Sequence, residues 1–305
     1  MKSPDRPGVS VVALSPLLHF SVPPARLVDA DFRFHLLGAP GDIVRWAEAE
    51  APPSGLTVVM QAESFSARDL TSLPRPMWLW FSAPLVLAPS SDIPSGSLSE
   101  QLVHERLATT GKLVDALRPD DVDAVIVADE SSRAVLADKG FRVLVSSLPM
   151  DDDHIDTDYV GPQSYSVGTF SAETPHQKVY RDALEVQPKQ LSLALTGKDY
   201  WKSARLEVSA GLVIHPDANR CFPMEALVHL ASGHTLISEP LRPLFGLEPG
   251  LDYFEVTSPS EAFHVMEYLG RSPEVTRLMA YRGKQKSQHF RASATWARLL
   301  GELPH

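Results

Sequence analysis

GLVIHPDANRCFPMEALVHLASGHTLISEP, residues 211–240, is the stretch on which the fold of this chain turns. GLVIH is a short apolar run suited to a buried strand, and PDANRC is a polar loop opened by proline. PMEALVHLAS carries Met224, Leu227, Val228 and Ala231 at helical spacing, and Gly233 stands where a helix-ending glycine belongs. TLIS is a second buried strand. Strand, loop, helix and strand make a parallel βαβ unit. Its loop falls at the carboxyl edge of the first strand and at the positive end of the helix, where a phosphate or pyrophosphate is most readily held.

Outward from this unit the same alternation continues. On its N-terminal side come SYSVGTF (164–170), a helix over 176–186 and QLSLALTG (190–197). On its C-terminal side SPSEAFHVMEYLG opens with Ser258 as N-cap, Pro259 at the first helical position and Glu261 as the capping-box acid. The chain then closes in one or two amphipathic helices. In the first half, strands are expected at 9–15, 32–38, 56–62, 122–129 and 141–149, and helices at 42–51, 97–117 and 131–140. Ser97 and Glu100 supply a capping box for the second of these helices. MWLWFSAPLVLA (77–88) is unusually apolar; a buried central strand is the plain reading, an acceptor groove or membrane-contacting edge the alternative. Strands separated by helices predict an α/β protein with open parallel sheets.

MDDDHIDTDYVGPQ (150–163) breaks this pattern with five aspartates, and we read it as an acidic linker between two domains, 1–155 and 156–305. Its spacing is not that of a calcium loop. A length of 305 residues is comfortable for two domains. The hydrophobic content of 44% and charged content of 22% are those of a globular protein. A net charge of −10 argues against a nucleic-acid partner. A single cysteine, Cys221, excludes an internal disulfide and fits a cytoplasmic location. No run is long enough to span a bilayer, and residues 1–20 lack the pattern of a signal peptide. The histidines show no metal-ligand spacing, and no Walker loop or G-x-S-x-G motif is present.

The order of features over 160–300 carries a resemblance. A strand, an Asn-Arg loop, a helix ending in Ala-Ser-Gly and a TLIS strand are followed by L-F…E-P-G-x-x-Y, an S-P-x-E helix and a terminal S-P-E-V-x-R-L helix. Together they resemble GT-B-fold glycosyltransferases, in particular the group-1-like and spore-maturation-type (CgeB-like) transferases. VDAVIVADESSRAVLADKGFRVLVSSLP (122–149) echoes the end of their N-terminal domain more loosely. The resemblance implies a GT-B fold, with two Rossmann-like domains whose parallel sheets face an interdomain cleft. It implies transfer of a sugar from a nucleotide-diphosphate donor, with a UDP-sugar as first guess, to a small-molecule or glycan acceptor. Retention and independence of a metal follow from the same likeness, and no cofactor is expected.

The site residues follow from the resemblance and from charge. Asp217 and Glu225 have the separation of the family's paired glutamates, aspartate standing in the first place; Glu225 then takes the ribose role and Asp217 lies near the donor sugar. The family places its helix glutamate five residues before the helix-ending glycine, whereas Glu225 stands eight before Gly233, nearly one turn further. A departing diphosphate needs its negative charge neutralised, and Arg220, just before the helix, is suited to that; a solvated loop arginine is the alternative. Lys198 in LTGKD, and Lys178 and Arg181 on the 176–186 helix, are further cations within the family's range. Gly168 resembles the glycine at the donor domain's first strand, where backbone approaches ligand. Asn219 is a donor or diphosphate contact, or a turn residue. Ser238 and Glu239 follow the TLIS strand at its carboxyl end, with Glu239 a candidate for the sugar hydroxyls. His215 ends GLVIH beside the proposed site, and His19 ends the first strand on the acceptor side; packed histidines are the alternative for both. Two other functions remain open: a non-catalytic GT-B-like binding or assembly protein, and a sugar-nucleotide epimerase.

Overall fold

The computed structural model describes residues 6–50, 55–83, 85, 98–158, 165–170, 175–184, 188–191, 207–215 and 222–302. The chain divides into two compact units, one over 1–92, 102–151 and 292–305, the other over 93–101 and 152–291.

In the first unit β1 (Gly8–Ala13), β2 (Asp31–Leu36), β3 (Leu56–Met60), β4 (Met77–Trp80), β5 (Ala124–Val127) and β6 (Val143–Val145) form a parallel sheet ordered β2-β1-β3-β4-β5-β6. Helices α1 (Asp42–Glu50), α2 (Ala67–Thr71), α3 (Leu98–Ala116) and α4 (Glu130–Asp138) connect its strands. Strand order reverses between β1 and β3, which makes that crevice the topological switch point. The apolar MWLW run is a central strand between β3 and β5, with Met77, Trp78, Leu79 and Trp80 at most 1% exposed. A strand covered on both faces reads as continuous apolar sequence, and that decides between the two readings of it. Ser97, the expected cap of α3, lies outside the described residues.

In the second unit α5 (Asp152–Asp156) and β7 (Val167–Phe170) are followed by α6 (Pro175–Ala183), β8 (Lys189–Leu191), β9 (Ala210–Val213), α7 (Met224–Ala231), β10 (Thr235–Ser238) and β11 (Phe254–Glu255). The sheet is parallel, ordered β11-β10-β9-β7-β8, with its switch point between β7 and β9. Helix α7 was expected to bury one stripe, and instead seven of its eight residues are buried. The sheet covers one side and α9 (Pro273–Ser287) the other, where a Cβ on Gly283 would stand 2.7 Å from Leu230 Cδ2. Between them α8 (Pro259–Arg271) starts as its sequence predicts, Ser258 Oγ accepting from Glu261 N at 3.2 Å. Glu261 reaches back one residue further than the box requires, to Thr257 N at 2.6 Å.

Two features differ from the sequence reading. The acidic stretch at 150 is not a solvated linker at its start: Met150, Asp151, Asp152 and Ile155 are all at most 3% exposed. Arg291 donates to Asp152 at 3.2 Å and to both carboxylate oxygens of Asp156, which holds the Asp156 carboxyl below its ordinary range. An arginine fork neutralises two of the aspartates and lets the segment fold as α5. The other feature is α10 (Ala292–Gly301), which belongs to the first unit, beyond the continuous 156–305 domain expected from sequence. Trp296 accounts for it. This side chain is fully buried, donates Nε1–H to Ser21 O at 2.7 Å, and meets Phe32 and Trp80 edge-on at 5.0 and 5.7 Å.

Candidate functional site

The carboxyl ends of β7, β9 and β10 flank the second unit's switch point, and the chain's polar groups gather there. β9 runs out at Val213, and Ile214 and His215 follow; β10 runs out at Ser238, and Glu239 follows. Glu239 N donates to Val213 O at 3.3 Å, so the two strand ends are pinned together. From the other side of the switch point, Gln177 in the first turn of α6 donates its amide to Ile214 O at 3.0 Å.

Glu239 is the centre of this edge. Its carboxylate oxygens lie 2.8 and 2.9 Å from His176 Nε2, and Oε1 accepts from the Tyr180 hydroxyl at 3.2 Å. The His176 and Glu239 side chains are only 10% and 14% exposed. His176 and Tyr180 are four residues apart on α6, so one helix face presents both. Their rings pack edge-on with centroids 5.5 Å apart. Burial, reinforced by the Glu239 charge, pushes the Tyr180 phenol well above its usual range, which keeps it a hydrogen-bond donor. A carboxylate has about four acceptor positions, so one held in this way retains capacity for a ligand's hydroxyl groups. Beside it Ser238 is fully buried and its hydroxyl has no hydrogen-bond partner among the described residues.

Helix α7 is anchored by an imidazole. An ideal Cβ on Gly211 would lie 2.1 Å from His229 Cγ, so only glycine lets β9 pass over this ring. His229 Nδ1 is 2.9 Å from His234 Nδ1, a contact in which one ring donates and the other accepts. At the helix start Glu225 is half-buried in the first turn, and the N-cap, Pro223, provides no side-chain cap to the amides.

Of the residues singled out from sequence, His215, Glu225, Ser238 and Glu239 lie at or next to this edge. Asp217, Asn219, Arg220 and Lys198 lie outside the described residues. Gly168 sits inside β7 in register with Gly211, and a Cβ there would meet Leu191 Cδ1 at 2.7 Å and Val208 Cγ1 at 2.9 Å. Crowding within the unit accounts for that glycine. His19 lies in the first unit, in a 3-10 turn over Pro16–Ser21, its ring stacked on Phe34 at 5.0 Å. Lys178 is exposed and pairs with Asp182 on its own helix. Sequence reasoning weighed the cations of α6 and passed over His176 and Tyr180; their spacing of four was the available signal.

No family model matches the chain, and no curated protein matches it in sequence. Solved structures do match its fold. Sucrose-phosphate synthase from Thermosynechococcus elongatus superposes with a TM-score of 0.60 at 10% identity, over 97% of this chain and 99% of that one. Anabaena HepE in complex with UDP-glucose gives 0.57 at 13% identity, over 97% and 100%. A mutant of S. aureus TarM, solved with UDP, fondaparinux and alpha-GlcNAc-glycerol, gives 0.55 at 8% identity, over 85% and 57%. These neighbours are GT-B glycosyltransferases, and the present chain, with its two parallel α/β sheets, has the GT-B fold.

Proposed function

We propose that this protein is a glycosyltransferase that moves a sugar from a nucleotide-diphosphate donor to a hydroxyl group of an acceptor, with retention and without a bound metal. The observation that carries this reading is the Glu239 carboxylate, held by His176 and Tyr180 at the carboxyl edge of a GT-B sheet. In the reaction the bond from the anomeric carbon to the diphosphate oxygen breaks and a bond to the acceptor oxygen forms, while the proton of the acceptor hydroxyl passes to the departing diphosphate. Glu239 and Ser238 take the donor sugar's hydroxyls, Glu225 the ribose, and Asp217 lies near the sugar. Arg220, aided by Lys198, Asn219 and the first-turn amides of α7, offsets the charge growing on the diphosphate. His215 borders the donor and His19 the acceptor. The second unit forms the donor-binding part, and the protein works in the cytoplasm. A UDP-sugar is the first donor to test, since HepE and TarM were both solved with UDP.

Calorimetric titration with UDP, GDP, dTDP and ADP, with and without magnesium, tests the reading. One diphosphate should bind, and Arg220→Ala should weaken it roughly 10- to 100-fold, the worth of a charge-assisted hydrogen bond. Strict dependence on magnesium would overturn the metal-free chemistry. Binding to none of the four would sink the transferase and leave a binding or assembly module. Turnover of a nucleotide sugar with no acceptor present would mark an epimerase instead.

A further inference from the structure

The carboxyl edge of the second sheet holds acids that no lysine or arginine among the described residues pairs with. Glu239 has His176 and Tyr180 as its side-chain partners there. Glu261 accepts from Thr257 and Ser258 at the start of its own helix, and its charge reaches the Tyr180 phenol together with that of Glu239. The cations nearby are engaged elsewhere. Arg242, three positions past Glu239, donates to Glu255 at 3.2 Å. Lys178 and Arg181, on the same helix as His176, both meet Asp182.

Glu239 is also held in place. A carboxylate can only accept, so the Nε2–H of His176 donates to both of its oxygens and the Tyr180 hydroxyl donates to Oε1. Its backbone amide is tied to Val213 O. All of its described side-chain partners come from α6, and the carboxylate cannot swing away from a ligand without giving them up. An acceptor-only group fixed in this way welcomes hydroxyls, which bring a proton, and meets a second carboxylate with no proton between them.

We propose that Glu239 restricts the donor to a nucleotide sugar whose sugar is uncharged and hydroxyl-bearing, a neutral hexose and not a uronate, with His176 as the positioning residue; this rests on the donor-site reading above. Like charges brought close in a half-buried site repel far more than they do in water, so the selection works by exclusion as well as by attraction.

The test is calorimetry on the full chain with UDP, UDP-glucose and UDP-glucuronic acid. The parent should prefer UDP-glucose over UDP-glucuronic acid by about tenfold or more. Glu239→Gln keeps the shape and supplies an amide that can donate to a carboxylate, so the preference should shrink to about twofold or less. His176→Leu should shrink it as well, whereas His176→Gln, whose amide can donate in place of Nε2–H, should retain most of it. A merely structural role for His176 would weaken both sugar nucleotides alike and leave their ratio as in the parent. Unchanged UDP affinity shows that each variant is folded, and the isosteric Glu239→Gln decides the outcome by itself. Equal binding of the two sugar nucleotides by the parent, or a preference that Glu239→Gln leaves intact, would overturn the selection by Glu239 while UDP binding kept the donor site standing. Failure of UDP itself to bind the parent would bring down the donor-site reading and the selection together.

Discussion

Glu239 shows how much a single side chain owes to its neighbours. Alone at a strand end it would be one more exposed acid; His176 and Tyr180 fix its carboxylate in a half-buried position. Replacing it by glutamine keeps the shape and one acceptor while removing the charge. Glu239→Gln should therefore weaken UDP-glucose binding by roughly fivefold, the difference between a charged and a neutral hydrogen bond, and leave UDP binding unchanged. Equal losses for both ligands in calorimetry would remove Glu239 from the sugar and assign it to the nucleotide or to the fold. His229 carries a second residue-scale consequence. Burial, with His234 adding to it, holds its imidazole well below the usual value of 6.5. The native ring stays neutral, while the unfolded chain takes up a proton below about pH 6.5. There the unfolded state binds more protons, so stability declines as pH falls through and below that value, by at most about 1.4 kcal/mol per pH unit from this group. Urea unfolding at a series of pH values should show a shallower acid slope in His229→Gln than in the parent. An unchanged slope would mean that other groups set the acid sensitivity. Of these residues the sequence marked Ser238, Glu239 and Glu225 by their place after a strand or at a helix start. It passed over His176 because the partner that gives it meaning lies 63 positions away.

At the scale of elements, local signals were legible wherever they were short-ranged. The N-cap serine, N1 proline and acid of α8 appear in the structure as read, because a cap needs only residues within one turn. The acidic run at 150 did not behave as composition suggested, because its partner is remote: Arg291 closes on Asp152 and Asp156 from 139 and 135 positions away. The basic run of 282–291 is explained by the same economy of charge, with Arg282 on Asp252, Lys286 on Glu248 and Arg291 on α5. Asp152 is 1% exposed, so removing its arginine strands a buried charge. Arg291→Ala should cost about 2–4 kcal/mol in chemical unfolding followed by circular dichroism, somewhat under a fully buried pair because Arg291 itself is 28% exposed. Adding Asp152→Asn should return part of that loss. A double variant as unstable as the sum of the two single ones would show the pair to be uncoupled.

At the scale of the whole molecule, α10 is the C-terminal element of the described chain and packs in the unit formed largely by the N-terminal half. Trp296, fully buried there, makes it a core element of the first sheet. Trp296→Ala should cost that unit about 3–5 kcal/mol. Hydrogen exchange should then accelerate across β1 to β6 and leave β7 to β11 as before; acceleration across β7 to β11 as well would show that the two units unfold as one.

The sequence by itself determined the class of this protein. Alternating apolar strands and capped helices dictate parallel sheets, and strand period, helix period and caps all act over a few residues. The buried MWLW strand and the βαβ unit of 211–240 could be read for that reason. Only the tertiary structure decided which groups meet: Glu239 with His176 and Tyr180, Gly211 with His229, Arg291 with α5, Trp296 with Ser21. These contacts join positions far apart in the chain, and no periodicity encodes them. They exist because two folded layers bring buried polar and aromatic groups within reach of the partners that make their burial stable.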